Sequence, residues 1–225
     1  MKVCFVSSES VESFCLKNEI KEKPDLLVFG FNGLGLVSYK KELSGDTEYF
    51  SDVAKLSKDL SCTVISGCDT DTYGVFRHSA VVSDGGKILG VQDMTHTIGE
   101  SEFAPGGNLR VYLTRAGKIG VIVCEDLFFP EVARVLSLCD AEFIVCLFKS
   151  LDGPMPQVML RAGAFSNGVN MALCAKDYVC LADVRGKISM ASALPVVNVD
   201  VKTEKDYRLI SSRQRGFYKD FSSGY

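Results

Sequence analysis

The sequence has no tryptophan and only two histidines, His78 and His96, in 225 residues. Two imidazoles are too few for a histidine-rich metal site. No Cys-x-x-Cys pair offers the thiolates of a zinc ribbon. No run approaches the roughly 20 consecutive apolar residues of a membrane helix. The opening MKVCFVSSESVESFC lacks the pattern of a secretion signal: one charged residue leads into a short strand-like run and then into polar residues. Clustered basic charge is missing too. The formal net charge is −3, and small groups such as Lys55 with Lys58 read as a solvated helix face, not as a phosphate-tracking stripe. The expectation is a cytoplasmic, soluble protein with no membrane or nucleic-acid partner, no metal and no other cofactor.

Cysteine, by contrast, is plentiful: Cys4, Cys15, Cys62, Cys68, Cys124, Cys139, Cys146, Cys174 and Cys180. Nine is an odd number, and most lie inside apolar runs such as VCF, IVCLF and ALCA. They read as small buried hydrophobes in a reducing compartment, not as a disulfide framework. Nearly half of the chain is hydrophobic, enough for one substantial core, and residues 1–225 read as one domain.

Apolar β-rich runs alternate with amphipathic stretches. Strands are expected at 1–6, 25–31, 62–67, 142–148, 171–175, 178–183 and 195–201. Helices are expected at 10–22, 47–60, 130–138 and 157–167, the second with Val53, Leu56 and Leu60 at core spacing. Segments 77–83 and 87–92 flank Asp84, Gly85 and Gly86, a strong hairpin signal, and 109–113 with 118–124 make a second hairpin. Hairpins mixed with strand–helix–strand units imply mixed sheets with helices on their outer faces. The tail at 221–225 reads as a frayed end.

The chemistry concentrates in KIGVIVCEDLFFPE, residues 118–131. An apolar strand ends at Cys124, acidic residues follow at once, and Pro130 opens a helix where its fixed φ and missing N–H are tolerated. A nucleophile at such a strand-to-helix turn is exposed at the sheet edge, with backbone N–H groups near a developing oxyanion. A thiolate there also gains from a nearby helix N-terminus.

This stretch resembles the signature of the nitrilase, or carbon–nitrogen hydrolase, superfamily: Lys118, Gly120, Val123, Cys124, Asp126, Phe129, Pro130, Glu131 and Arg134 match. Downstream, Arg161, Ala162, Ala164 and Asn167 in RAGAFSN fit its R-A-x-A-x-E-N motif, with Ser166 where the family has Glu. Upstream, residues 24–29, 78–82, 86–90 and the Phe103-Ala104-Pro105-Gly106 turn fit in order, and 208–218 resembles the closing Arg-rich segment. The resemblance implies a four-layer α-β-β-α sandwich with two mixed β-sheets. It also implies a homodimer or higher homo-oligomer, and a small amide, nitrile or carbamoyl-type ligand.

Active members use Glu, Lys and Cys together: glutamate takes the thiol proton, lysine stabilises the oxyanion and the thiolate attacks carbon. Here Phe31 stands at the glutamate position and Met94 at the lysine position, and Glu125 replaces the usual aromatic residue after the cysteine. The segment at 174–197 is also short for the family. Two substitutes are open: Glu125 as base, or His96 paired with Cys124 and oriented by Glu100 or Glu102. Spacing does not choose between those two as the family's supporting glutamate. The expectation is a family member with the nucleophile cysteine but without normal amidase or nitrilase turnover, acting by binding or regulation as a pseudoenzyme. The alternatives are an active thiol amidohydrolase or acyl-transferring enzyme with a rearranged triad, and a thiol-based redox or electrophile sensor.

Overall fold

The computed structural model describes residues 1–17, 22–151 and 153–212. Residues 18–21 of the expected first helix, 213–218 of the closing segment and the tail at 221–225 lie outside the described residues.

The first sheet grows from β1 (Lys2–Val6), β2 (Leu26–Phe29) and β4 (Thr63–Thr72), which run parallel. Short β3 (Leu36–Ser38) also pairs with β4. The chain then doubles back through β5 (Val75–Asp84) and β6 (Lys87–Asp93), and β13 (Val196–Asp200) closes the other edge against β1. The second sheet is centred on parallel β8 (Gly117–Val123), β9 (Phe143–Leu147) and β10 (Asn170–Ala175). It is flanked by β7 (Val111–Thr114) on one side and by β11 (Tyr178–Ala182) and β12 (Ile188–Ser192) on the other.

The strict alternation of side chains along strands builds the layers. Val3 and Phe5 of β1, Leu26 and Val28 of β2, and Ile119, Val121 and Val123 of β8 share one core between the sheets. Their neighbours point the other way. Cys4, Val6, Leu27 and Phe29 pack outward against α1 (Val11–Lys17) and α3 (Tyr49–Asp59). Ile122, Ile144 and Cys146 pack against α4 (Pro130–Leu138) and α5 (Met155–Asn167). Near-continuous apolar runs such as FIVCL therefore mark strands covered on both faces. The result is the four-layer α-β-β-α sandwich with two mixed sheets that the sequence led us to expect.

The observed elements depart from the expected ones in places. The β4–β5 hairpin runs well past the expected ends at residues 67 and 77, turning at Tyr73 and Gly74. β3, α2 (Tyr39–Ser44), β12 and the short α6 (Arg208–Ser211) were not anticipated. Residue 31 lies beyond β2, in the turn that follows it. All nine cysteines are unpaired. Among the described residues no helix is long and apolar enough to cross a membrane.

Candidate active site

β8 is buried from Ile119 onward and ends at Val123, where the backbone turns sharply into a 3-10 segment, Cys124–Phe128. Cys124 makes that turn with φ +47°, in the left-handed region that costs an ordinary side chain free energy. Pro130 then opens α4 at its first turn, as its chemistry favours. Cys124 is only 3% exposed and belongs to the core between the sheets.

Phe31 and Met94 belong to the same core, at 7% and 2% exposure. Phe31 is held by close backbone packing: a Cβ on Gly67 of β4 would lie 2.9 Å from the Phe31 Cα. Met94 extends β6 by one step, its N–H donating to the His78 carbonyl at 2.8 Å. Fully burying such a side chain stabilises by about 1.5–3 kcal/mol. At these two positions the chain packs where the family resemblance puts a base and a cation.

Burial pushes the Cys124 thiol well above its ordinary value, and the Glu125 charge next to it pushes the same way. The Lys149 backbone N–H and the Lys149 charge act in the opposite sense; Asp69 adds a further upward push.

Lys149 and Asp69 belong to a polar cluster at this end of the sandwich. Lys149 Nζ lies 2.8 Å from Asp69 Oδ2, and His78 Nδ1 lies 2.6 Å from Asp69 Oδ1. Asp69 and His78 face each other across the β4–β5 ladder. The His78 ring stacks on Phe103 at 3.6 Å and meets Phe31 edge-on at 5.7 Å. Burial opposes ionisation of Asp69, but hydrogen bonds from His78 and Lys149 outweigh it and hold the carboxyl below its ordinary range.

Residues 24–193, more than half of the chain, match the family described as carbon-nitrogen hydrolase. The chain belongs to the carbon–nitrogen hydrolase family. A probable nitrilase of Schizosaccharomyces pombe is 23% identical over 184 residues, covering 74% of this chain and 67% of that protein. The matched stretches cover between 33% and 67% of the curated relatives' own lengths. A carbon-nitrogen hydrolase structure from Helicobacter pylori superposes with a TM-score of 0.78 at 18% identity, covering 100% of this chain and 98% of that one. An amidase from Nesterenkonia sp., a glutamate-to-leucine mutant with the acetamide moiety of fluoroacetamide added at its active-site cysteine, superposes with a TM-score of 0.74 at 15% identity, covering 98% and 96%.

The other residues singled out in this family member fall in different places. His96 is committed to Asp126: its N–H and its Nδ1 each lie 2.9 Å from Asp126 Oδ1, and its ring stacks on Phe129 at 4.2 Å. Thr95 reaches the same carboxylate with its N–H at 2.8 Å and its hydroxyl at 2.9 Å. Asp126, 1% exposed, thus pins the segment after Met94 to the turn after Cys124. Glu100 and Glu102 are exposed. Glu125 directly follows Cys124, and its Oε2 is buried without a hydrogen-bond partner among the described residues. The sequence reading missed Asp69 and Lys149, which lie 80 residues apart. The one local signal was a lysine just past the end of a fully buried strand that runs parallel to the cysteine's own.

Proposed function

We propose that this chain keeps the ligand-holding site of a carbon–nitrogen hydrolase around Cys124 but lacks the family's normal amidase or nitrilase turnover. It then acts by binding a small amide, nitrile or carbamoyl-type compound, as a regulatory pseudoenzyme. One observation carries this reading: the thiol, raised by burial, shares its apolar surroundings with Phe31 and Met94. Thiol attack on an amide needs a thiolate, a group to take the proton and a stabiliser for the oxyanion. Loss of a general base costs ~10²–10⁴ in rate, and loss of one oxyanion stabiliser about 2.7–4 kcal/mol. The two need not add.

The Nesterenkonia amidase variant carries a covalent adduct on its cysteine with leucine in place of a glutamate. That precedent favours reading Cys124 as reachable by a bound electrophile beside Phe31. The test is a panel of amides, nitriles and carbamoyl compounds assayed with the wild type and Cys124→Ala. The reading expects no turnover that depends on Cys124 and saturable binding of at least one compound. Turnover that vanishes in Cys124→Ala overturns it.

A second reading, an amidohydrolase or acyl-transferring enzyme with a rearranged triad, is favoured by Glu125, whose buried Oε2 has no hydrogen-bond partner among the described residues. It requires turnover by the wild type that falls at least ~10²-fold in Glu125→Gln. We also propose a homodimer through α4 and α5, where Leu138, Met155 and Phe165 are exposed apolar residues. A cytoplasmic setting is favoured by nine unpaired cysteines.

A further inference from the structure

We infer that Lys149 supplies the positive charge at Cys124, in place of the cation that position 94 lacks, and that Asp69 and His78 act through it as positioning residues. The inference rests on reading Cys124 as the residue that meets the ligand.

Strands β8 and β9 run parallel as direct neighbours, with Val123 opposite Leu147. The residues leaving the two strands therefore emerge side by side. Cys124 comes one step after Val123 and Lys149 two steps after Leu147, at the same end of the paired strands. The Lys149 ammonium is fixed on three sides. Asp69 Oδ2 holds it at 2.8 Å, and the rings of Phe103 and Phe31 lie 4.8 and 5.8 Å away. Aromatic faces attract a cation at such distances. His78 occupies the other Asp69 oxygen, and its stacking on Phe103 sets the orientation of the pair.

An ammonium has three donors and Asp69 engages one of them. The Lys149 side chain is 44% exposed, and among the described residues its ammonium donates to Asp69. The charged groups that act on the sulfur are Glu125 from its own turn, Asp69 from β4 and Lys149 from the segment after β9, and His78 of β5 bonds to Asp69. Glu125 and Asp69 oppose negative charge on sulfur, and Lys149 favours it. The same charge would face the partly negative oxygen or nitrogen of a carbonyl, ureido or nitrile group brought up to Cys124.

The experiment is alkylation of the full chain with neutral iodoacetamide and with anionic iodoacetate across a pH series, read at the Cys124 peptide. In each reaction a sulfur–carbon bond forms, iodide leaves and the thiol proton passes to buffer. Lys149→Met is expected to raise the pH midpoint of Cys124 reaction and to slow iodoacetate about threefold to tenfold more than iodoacetamide. Lys149→Arg is expected to stay close to wild type on both counts. In wild type, added salt should shrink the relative rate of iodoacetate toward that of the neutral reagent. This arm holds even where Lys149→Met fails to fold. An unchanged midpoint and rate ratio in folded Lys149→Met, or a salt-independent ratio in wild type, overturns the inference. A Cys124 that never reacts in folded wild type, while exposed Cys15 and Cys139 do, overturns it together with the reading of Cys124 as the ligand-facing residue. Amide turnover by Cys124 would instead overturn only the binding role proposed above.

Discussion

Asp69 Oδ2 lies 2.8 Å from Lys149 Nζ, and this ion pair ties β4 of one sheet to the end of β9 of the other, at the end of the sandwich that holds Cys124. Asp69 is held below its ordinary carboxyl value in the folded chain. Its contribution to stability is therefore complete above the unfolded value of about 3.9 and is lost as pH falls through the folded one. Asp69→Asn lacks that contribution at every pH. Urea unfolding should show wild type more stable than Asp69→Asn near pH 6, with the gap beginning to narrow once pH falls below about 3.9. A gap that stays constant as pH falls further would contradict the account.

Asp126 gathers four hydrogen bonds from Thr95 and His96 while almost fully buried. Asp126→Ala leaves two backbone N–H groups without their acceptor. The expected cost is about 2–4 kcal/mol in unfolding free energy. Asp126→Asn, which keeps the shape and one acceptor oxygen, should lose less. Limited proteolysis between residues 95 and 108 should speed up in the alanine variant.

Gly67 lets β4 approach the turn that carries Phe31. A Cβ there would lie 2.9 Å from Phe31 Cα and 3.1 Å from both the Phe31 nitrogen and the Gly30 carbonyl oxygen, all backbone atoms with little freedom to give way. Gly67→Ala should cost about 1–3 kcal/mol. Because the strain falls on the Phe31 turn, it should also increase the alkylation rate of Cys124. Calorimetry and peptide-level mass analysis check the two effects on one sample.

The layers were legible in the sequence because burial on both faces writes itself as continuous apolar runs, and GVIV and FIVCL need no context to be read as buried strands. The turn at Cys124 was legible because a strand, a cysteine and a proline-opened helix follow one another directly. The far half of β4 was not. In CDTDT only Cys68 and Thr70 are buried, and the polar residues between and beyond them make the sequence resemble a loop there. β3 has three residues, too few for any period to show. The Asp69–His78–Lys149 cluster could not be read locally at all. Strand pairing brings Asp69 to His78, and packing between the two sheets brings both to Lys149. Phe31 and Met94 were visible as substitutions through the family resemblance, but their shared core with Cys124 is a property of the folded chain.

The proposed loss of turnover depends on Cys124 being a neutral thiol at physiological pH, poorly suited to the family's chemistry. The most direct measurement is a pH titration of thiolate absorbance near 240 nm, taken as the difference between wild type and Cys124→Ala over the range in which both stay folded. The account predicts no thiolate from Cys124 at pH 7 and a midpoint above the ordinary cysteine value of about 8.5. A midpoint below about 7, in the range of activated cysteines, would contradict it.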